Sequence, residues 1–579
     1  MIWFFHLCSV DVRIEKCVSK WLLVSAVDVG KSSPMVVRAK SAFCANLLPA
    51  RNACRVARDA SSIIIISKNE GNGENGLMVH SSAINAPIEF GFVGLRPFRR
   101  RASFATSTII SKDRFSALKE RLPNVTFSTN SYELYWHGKG QSYHPSVPPD
   151  VVATPETLED VRTIMQFCVS ERIPVIPFGT GTSLEGHVAA LYGGLCLDMA
   201  KFQSIEIPDF SSADLPDPIA VVGAGVTRKK LNEALRHTGM QFMIDPGADA
   251  SLGGMVSTGA SGTAAVKYGT MRENILALDC VLADEEATVV STGSRSLKNS
   301  AGYDLLSLMC GSEGTLGVIT SVTVKLHSIP EYVIAAVCSF SSLYAAAQAV
   351  ATLKLSNIPV SRCELLDSAS VEAFNAYNKE SRPLLVRPTL FLEFQGASEL
   401  VLQEQVSNTQ SICVHDFGGS HFSFASNEQD RKALWSARHS LYYAAIALRP
   451  GATDALVTDA CVPLSKFASL ISETAADVRE KGVIGPCFGH AGDGNLHCIL
   501  PILEQESADY LLKVEQVNEN LIKRTLDAGG SCSGEHGVGY GKIKYLERQY
   551  GQGAVEMMKR IKKGLDPYNL MNPGKVVSV

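Results

Sequence analysis

Two histidines seven residues apart, His490 and His497, stand in the run Cys-Phe-Gly-His-Ala-Gly-Asp-Gly-Asn-Leu-His-Cys over 487–498. A carboxylate and a third imidazole, Glu535 and His536, follow in Ser-Gly-Glu-His-Gly-Val-Gly over 533–539. Two imidazoles with one carboxylate suit a borderline divalent cation that keeps positions open for substrate. Zinc, manganese and iron all accept that set, and zinc or manganese is the expected occupant. His536 is then a free imidazole beside the cation, a candidate general base. Taken singly, either segment reads more readily as a turn with a core or surface histidine. It is the pair, polar residues among glycines between apolar runs, that points to chemistry.

Those side chains need elements to bring them together. Residues 496–500 alternate, with His497 and Ile499 on one face and Leu496, Cys498 and Leu500 on the other, as in a strand. Gly489, Gly492 and Gly494 give the connection the backbone freedom to bend back, which allows both imidazoles to reach one point. Further upstream, Asn427 can cap a helix that places Trp435, Arg438 and Tyr442 on one face. An arginine there is either solvent-facing or the partner of an anion, for which a planar fork suits a carboxylate.

The first half is rich in small residues. Val151-Val152-Ala153 reads as a strand, Thr154-Pro155-Glu156 as the start of a helix bearing Val161, Ile164 and Cys168, and Pro174-Val175-Ile176 as a second strand. That strand runs into Pro177-Phe178-Gly179-Thr180-Gly181-Thr182-Ser183, a loop able to wrap amides round a pyrophosphate, or a plain turn. The stretch 245–262 is almost wholly small, as close backbone approach to a bulky ligand requires. A third glycine-punctuated loop, 311–317, leads into a strand at 318–326. Two other stretches are decoys. Gly30-Lys31-Ser32 lacks the first Walker glycine, and 219–225 has Arg228 where a dinucleotide fingerprint needs glycine and no acid about twenty residues on, so nicotinamide binding is rejected.

PFGTGTSLEG, PGADASLGG with GASG, and GSEGTLGVIT together resemble the flavin domain of the vanillyl-alcohol-oxidase (p-cresol methylhydroxylase) type. FGHAGDGNLH, GEHGVG and the closing Asn572-Pro573-Gly574-Lys575-Val576 resemble its D-2-hydroxyacid dehydrogenase branch, and the similarity runs from about 132 to the C-terminus. The resemblance implies an α+β fold: a two-subdomain flavin domain over 132–329, then an α+β cap and C-terminal oxidase domain with antiparallel sheet over 330–579. It implies FAD held by Pro177, Gly179, Thr180, Gly181, Thr182 and Ser183. Pro246, Gly247, Ser251, Gly253, Gly254, Thr258, Ser261 and Gly262 would add a second wall. Glu313, Gly314, Thr315, Gly317, Val318 and Ile319, with Asn572, would complete it. Thr182 replaces the histidine through which some relatives attach flavin covalently, so a dissociable FAD is expected. The family further implies that His490, His497 and Glu535 bind the metal and His536 is the base. Asn495 would orient the substrate, and Arg438, with Trp435 and Tyr442, would hold its carboxylate. Relatives that take 2-hydroxyglutarate carry a lysine where Val457 stands, so a small monocarboxylate such as D-lactate is expected. Its product is a 2-oxo acid, and cytochrome c is the implied electron acceptor; a glycolate-type oxidase and a non-catalytic binding protein are the alternatives. Whether the chain forms a homodimer is left open.

At 579 residues the chain is too long for one ordinary domain. Its 46% hydrophobic and 19% charged content is that of a protein with a sizeable core, and a formal charge of −4 argues against nucleic acid as the main partner. The 15 cysteines never form Cys-x-x-Cys; Cys168, Cys280, Cys310 and Cys338 read as reduced core residues. No apolar run reaches membrane-spanning length. Residues 1–111 are arginine- and serine-rich and poor in acids over 29–68, as in a largely unstructured mitochondrial transit sequence leading to matrix or intermembrane space.

Overall fold

The computed structural model describes residues 112–579 apart from 215 and 380–382, and three earlier strands, Met35–Val36, Ile64–Lys68 and Leu77–Ser81. These three pair antiparallel into a sheet of their own, in a unit separate from the rest of the chain. The expected leader therefore contains paired strands, centred on the β-branched run Ile64-Ile65-Ile66; its remainder, with the Gly30-Lys31-Ser32 decoy, lies outside the described residues. Described structure of the main body begins at the helix Lys112–Arg121, earlier than the expected 132. Leu118 and Leu122, one turn apart, bury one side of that segment in a core with Val151 and Ile164.

The flavin half has two sheets. The first runs, in space, Thr126–Ser128, Val151–Thr154, Leu195–Asp198, Val175–Phe178, with its last three strands parallel. Its cover is the helix Leu158–Glu171. Thr157, rather than the 154–156 stretch, caps that helix, in a capping box with Asp160. The helix buries Val161, Ile164 and Cys168. The second sheet is antiparallel, in the order Val289–Gly293, Ile275–Val281, Val318–Lys325, Ile219–Gly223, Ile205–Glu206. Ile219–Gly223, the decoy fingerprint, thus sits in an antiparallel sheet rather than opening a βαβ unit. Ser251 caps the short helix Leu252–Thr258, its hydroxyl accepting from the Gly254 amide.

The C-terminal half is built on an eight-stranded antiparallel sheet. Its order is Ser420–Ala425, Tyr332–Ser339, Thr389–Gly396, Arg362–Leu366, Cys487–His490, Asn495–Leu503, Ala452–Val457, with Ala460–Cys461 also paired to Asn495–Leu503. Helices Leu343–Leu355, Leu464–Glu480 and Ala508–Asp527 contribute to its largest core, whose members include Leu353, Phe394, Phe467 and Leu500. After the helix Gln552–Leu565 the chain returns to the flavin half, where Leu570 and Met571 enter the core and Met571 bridges Val175. Cys168, Cys280, Cys310 and Cys338 are buried free thiols. Among the described residues no helix is long and apolar enough to cross a membrane.

Candidate active site

Strand pairing places the two imidazoles. Cys487–His490 and Asn495–Leu503 pair with Cys487 opposite Cys498, so the tight 491–494 turn folds His490 back towards His497. Gly494 takes φ +76 there, and a Cβ would meet the Val462 carbonyl oxygen at 2.2 Å, which leaves glycine as the residue that fits. His490 Nε2 lies 3.0 Å and His497 Nε2 3.1 Å from Glu535 Oε1. Those separations are close to the edges of a coordination shell with bonds of about 2.0–2.1 Å, so the expected donor set converges on one point. The other nitrogen of each ring is engaged: His490 Nδ1 is 2.7 Å from Glu364 Oε1, and His497 Nδ1 is 3.0 Å from the Thr458 carbonyl oxygen. This outer partner sets which nitrogen faces the donor point.

The loop carrying Glu535 and His536 is held by two carboxylates. Asp459 Oδ2 accepts from the amides of Gly534 (2.8 Å), Glu535 (3.1 Å) and His536 (2.9 Å) and from the Ser533 hydroxyl (2.7 Å). Glu313, from the flavin half, accepts from the amides of Val538 (2.6 Å) and Gly539 (2.7 Å). Lys542 Nζ lies 3.1 Å from Glu185 and 3.4 Å from Asp459, a buried cation joining the halves. A second donor grouping, Asp459, His497 and His536, shares His497 with the first. Lys542 and three amides already balance Asp459, so the set with Glu535 is the better cation site.

Electrostatics separates the roles. Burial opposes the charge of Glu535, but His490 and His497 hold it well below the usual carboxylate range. Burial alone would push His490 down, yet Glu364 and Glu535 outweigh it and hold its imidazolium well above the ordinary value. Both shifts favour an imidazolium–carboxylate pair at this point, and a cation held there would have to displace that proton. His536 behaves oppositely: burial pushes it down to about 4. Its ring stacks on His497, centroids 5.0 Å apart, and Nδ1 is buried without a hydrogen-bond partner.

One cavity of about 760 Å³ runs from this cluster into the flavin half. His490, His497, Glu535, His536, Arg438, Tyr442 and Val457 line one end. The glycine loops line the other, with Gly179, Thr180, Gly181, Thr182, Ser183 and Pro177 on one side. Pro246, Gly247, Ser251, Gly253, Gly254, Thr258, Ser261 and Gly262 face them, and Glu313, Gly314, Gly317, Ile319 and Asn572 complete the wall. Gly253 shows why small residues are needed: a Cβ would stand 2.6 Å from Ala224 Cβ. A long cofactor in this cleft would meet backbone amides and hydroxyls, which suits FAD.

Four expected residues stand off the wall. Val318 is a fully buried core residue, and Thr315 turns its hydroxyl to the Ser312 carbonyl. Trp435 is buried against Phe391, 6.3 Å between ring centroids. Asn495 is buried and off the cavity lining, its amide nitrogen 3.5 Å from His497 Nε2 and its side chain packed against Gly534. Sequence reasoning missed Glu364, Asp459 and Arg362. Glu364 is the single carboxylate of the strand Arg362–Leu366, and Asp459 stands between the strands Ala452–Val457 and Ala460–Cys461; a lone carboxylate beside apolar neighbours is the one signal that could have found them. Arg362 lines the cavity and pairs with Asp245 (3.2 Å) and Glu393 (3.1 Å).

Residues 149–291 match a family described as FAD binding domain, and 329–576 match FAD linked oxidases, C-terminal domain. The chain is 47% identical over 446 residues to a probable mitochondrial D-lactate dehydrogenase of Danio rerio, covering 76% of this chain and 87% of that protein. It is 41% identical over 471 residues to the mitochondrial D-lactate dehydrogenase (cytochrome) of Arabidopsis thaliana, covering 81% and 80%. Among solved structures, p-cresol methylhydroxylase with substrate bound aligns over 81% of this chain and 98% of its own, with TM-score 0.63 and 16% identity, a likeness of fold. The chain therefore belongs to the FAD-linked oxidases with this flavin domain, and it is an FAD-dependent oxidoreductase. Within that family it falls in the branch that holds the mitochondrial D-lactate dehydrogenases, whose names agree with the mitochondrial reading of its leader.

Proposed function

We propose that this protein oxidises D-lactate and similar small D-2-hydroxy acids to 2-oxo acids in the mitochondrion, with dissociable FAD, a zinc or manganese ion and cytochrome c as electron acceptor. The observation that carries the reading is the convergence of His490, His497 and Glu535 on one point, with a neutral His536 stacked beside them, on the wall of the cavity that the glycine loops line. When bound, FAD accepts a hydride and the cation lowers the pKa of a hydroxyl it meets. Moving a proton from an alcohol near water's pKa of about 15.7 to an imidazole held down to about 4 is uphill by roughly 16 kcal/mol, so the donor triad is needed as well as the base. His536 receives the hydroxyl proton, and burial keeps it in the neutral form that can do so. Arg438, beside Tyr442 on the wall, fixes the substrate carboxylate. Val457 lends the wall an apolar side chain, which disfavours a second carboxylate.

A second reading, a glycolate-type oxidase, draws on 32% identity over 434 residues to the glycolate oxidase subunit GlcD of Bacillus subtilis. Anaerobic mixing with D- and L-hydroxy acids, before and after chelation, tests both. Bleaching of the flavin by D-lactate, abolished by chelation and restored by Zn²⁺ or Mn²⁺, is expected. Bleaching that chelation leaves untouched removes the cation from the proposal, and hydrogen peroxide formed under air at the full rate of turnover favours the oxidase.

A further inference from the structure

We infer that Glu364 is a positioning residue that couples the cation site to the arginine serving the substrate carboxylate; this rests on the reading of His490 and Arg438 given above. Glu364 lies in the strand Arg362–Leu366, directly opposite His490 in the antiparallel register. Its side chain is wholly buried, and its two oxygens serve two different partners. Oε1 is 2.7 Å from His490 Nδ1, and Oε2 is 2.6 Å from Arg438 Nε. The Arg438 guanidinium also lies 4.7 Å from the centroid of the Phe488 ring, two residues before His490, so strand and carboxylate grip it together.

The geometry fixes both groups at once. A carboxylate facing Nδ1 accepts its N–H and leaves Nε2 as the nitrogen that faces Glu535 and His497. The same carboxylate accepts from Arg438 Nε, which sets the plane of the guanidinium on the cavity wall. A glutamine of the same size cannot replace it. Its amide offers one oxygen, so whichever way it turns, its NH₂ faces either the imidazole N–H or the guanidinium N–H. One carboxylate holding two sites also makes them reciprocal: what tightens one is felt at the other.

The test uses the full-length, FAD-loaded chain stripped by chelation. Mn²⁺ affinity is read by calorimetry and the D-lactate KM and kcat are measured after reloading. Glu364→Gln is expected to keep its FAD, to bind Mn²⁺ about 10- to 100-fold more weakly, and to raise KM as well as lower kcat. Glu364→Asp keeps the charge but, one methylene shorter, reaches one partner; it should recover either Mn²⁺ affinity or KM, not both. Unchanged Mn²⁺ affinity and KM in Glu364→Gln overturns the inference. So does a loss that in both variants tracks release of FAD and a lowered Tm, since that marks a merely structural role. An unaltered chain that binds neither Mn²⁺ nor Zn²⁺ removes the cation reading itself, and the coupling with it, before any variant is compared.

Discussion

The two halves of the molecule build the walls of one cavity from opposite materials. The flavin half uses backbone and small residues: where Gly179 stands, a Cβ would meet the Ser251 hydroxyl oxygen at 2.3 Å, and where Gly262 stands, the Asp245 carbonyl oxygen at 2.5 Å. The C-terminal half uses buried ionisable side chains, most of them with a polar partner: His490 with Glu364 and Glu535, His497 with Thr458, Lys542 with Glu185 and Asp459, while His536 keeps Nδ1 unpartnered. A large cofactor is recognised by shape and amides, which neither titrate nor need a second layer of support. A proton transfer needs groups whose charge can change, and burying those is costly unless each is balanced. The first wall is therefore sensitive to volume and the second to charge.

Variants can break that contrast. The largest effect is expected from His536→Ala: FAD content stays normal while flavin reduction by D-lactate falls about 10³-fold, read by anaerobic stopped flow. Full activity in that variant would take His536 out of the chemistry. Gly253→Val attacks the other wall, where its added methyls have no room beside Ala224. Its FAD affinity should fall about 10- to 100-fold, followed by flavin fluorescence, while Mn²⁺ still binds the C-terminal site. An FAD-free His536→Ala or an FAD-replete Gly253→Val would dissolve the division of labour.

Val457→Lys sharpens the comparison by placing a cation on the apolar part of the wall. The ratio of kcat/KM for D-2-hydroxyglutarate over D-lactate is expected to rise about tenfold, roughly 1.4 kcal/mol. A last effect, on stability and not on turnover, concerns Lys575 in the closing Asn-Pro-Gly-Lys segment. Burial pushes its ammonium down to about 7, whereas the unfolded chain keeps it near the usual value of about 10.4. Between those values the unfolded chain binds more protons, so this lysine makes stability rise with pH and the gain is lost as pH falls to 7. Thermal unfolding at pH 7 and 9 should show the unaltered chain gaining up to about 1.4 kcal/mol per pH unit over Lys575→Met. Parallel curves for the two would leave Lys575 without a shifted proton.

Much of the site was legible because its parts are local. The glycine loops and the two histidine segments each compress their requirement into a dozen residues, and nearly all of them reach the cavity wall. Asn495 and Trp435 lie off that wall for the same reason: proximity in sequence to His497 and Arg438 says nothing about which way a side chain faces once a strand pairs or a helix packs. Thr315 and Val318 also lie off it, since a loop that lines a ligand alternates residues toward it and away. The helix Lys112–Arg121 escaped because it precedes any catalytic motif, yet its Leu118, with Leu122 just beyond its end, completes a core.

The sequence by itself determined that the ligand is a flavin and which imidazoles and carboxylate are candidate donors, because glycine where a Cβ cannot fit and imidazole beside carboxylate are requirements written in residue type. Only the tertiary structure decided who supports them. Glu364 is 126 residues from His490, and Glu313 is 225 residues from Val538. Such partners are chosen by strand register and by where the chain returns, since a buried charge takes whatever opposite charge the packed fold sets within reach.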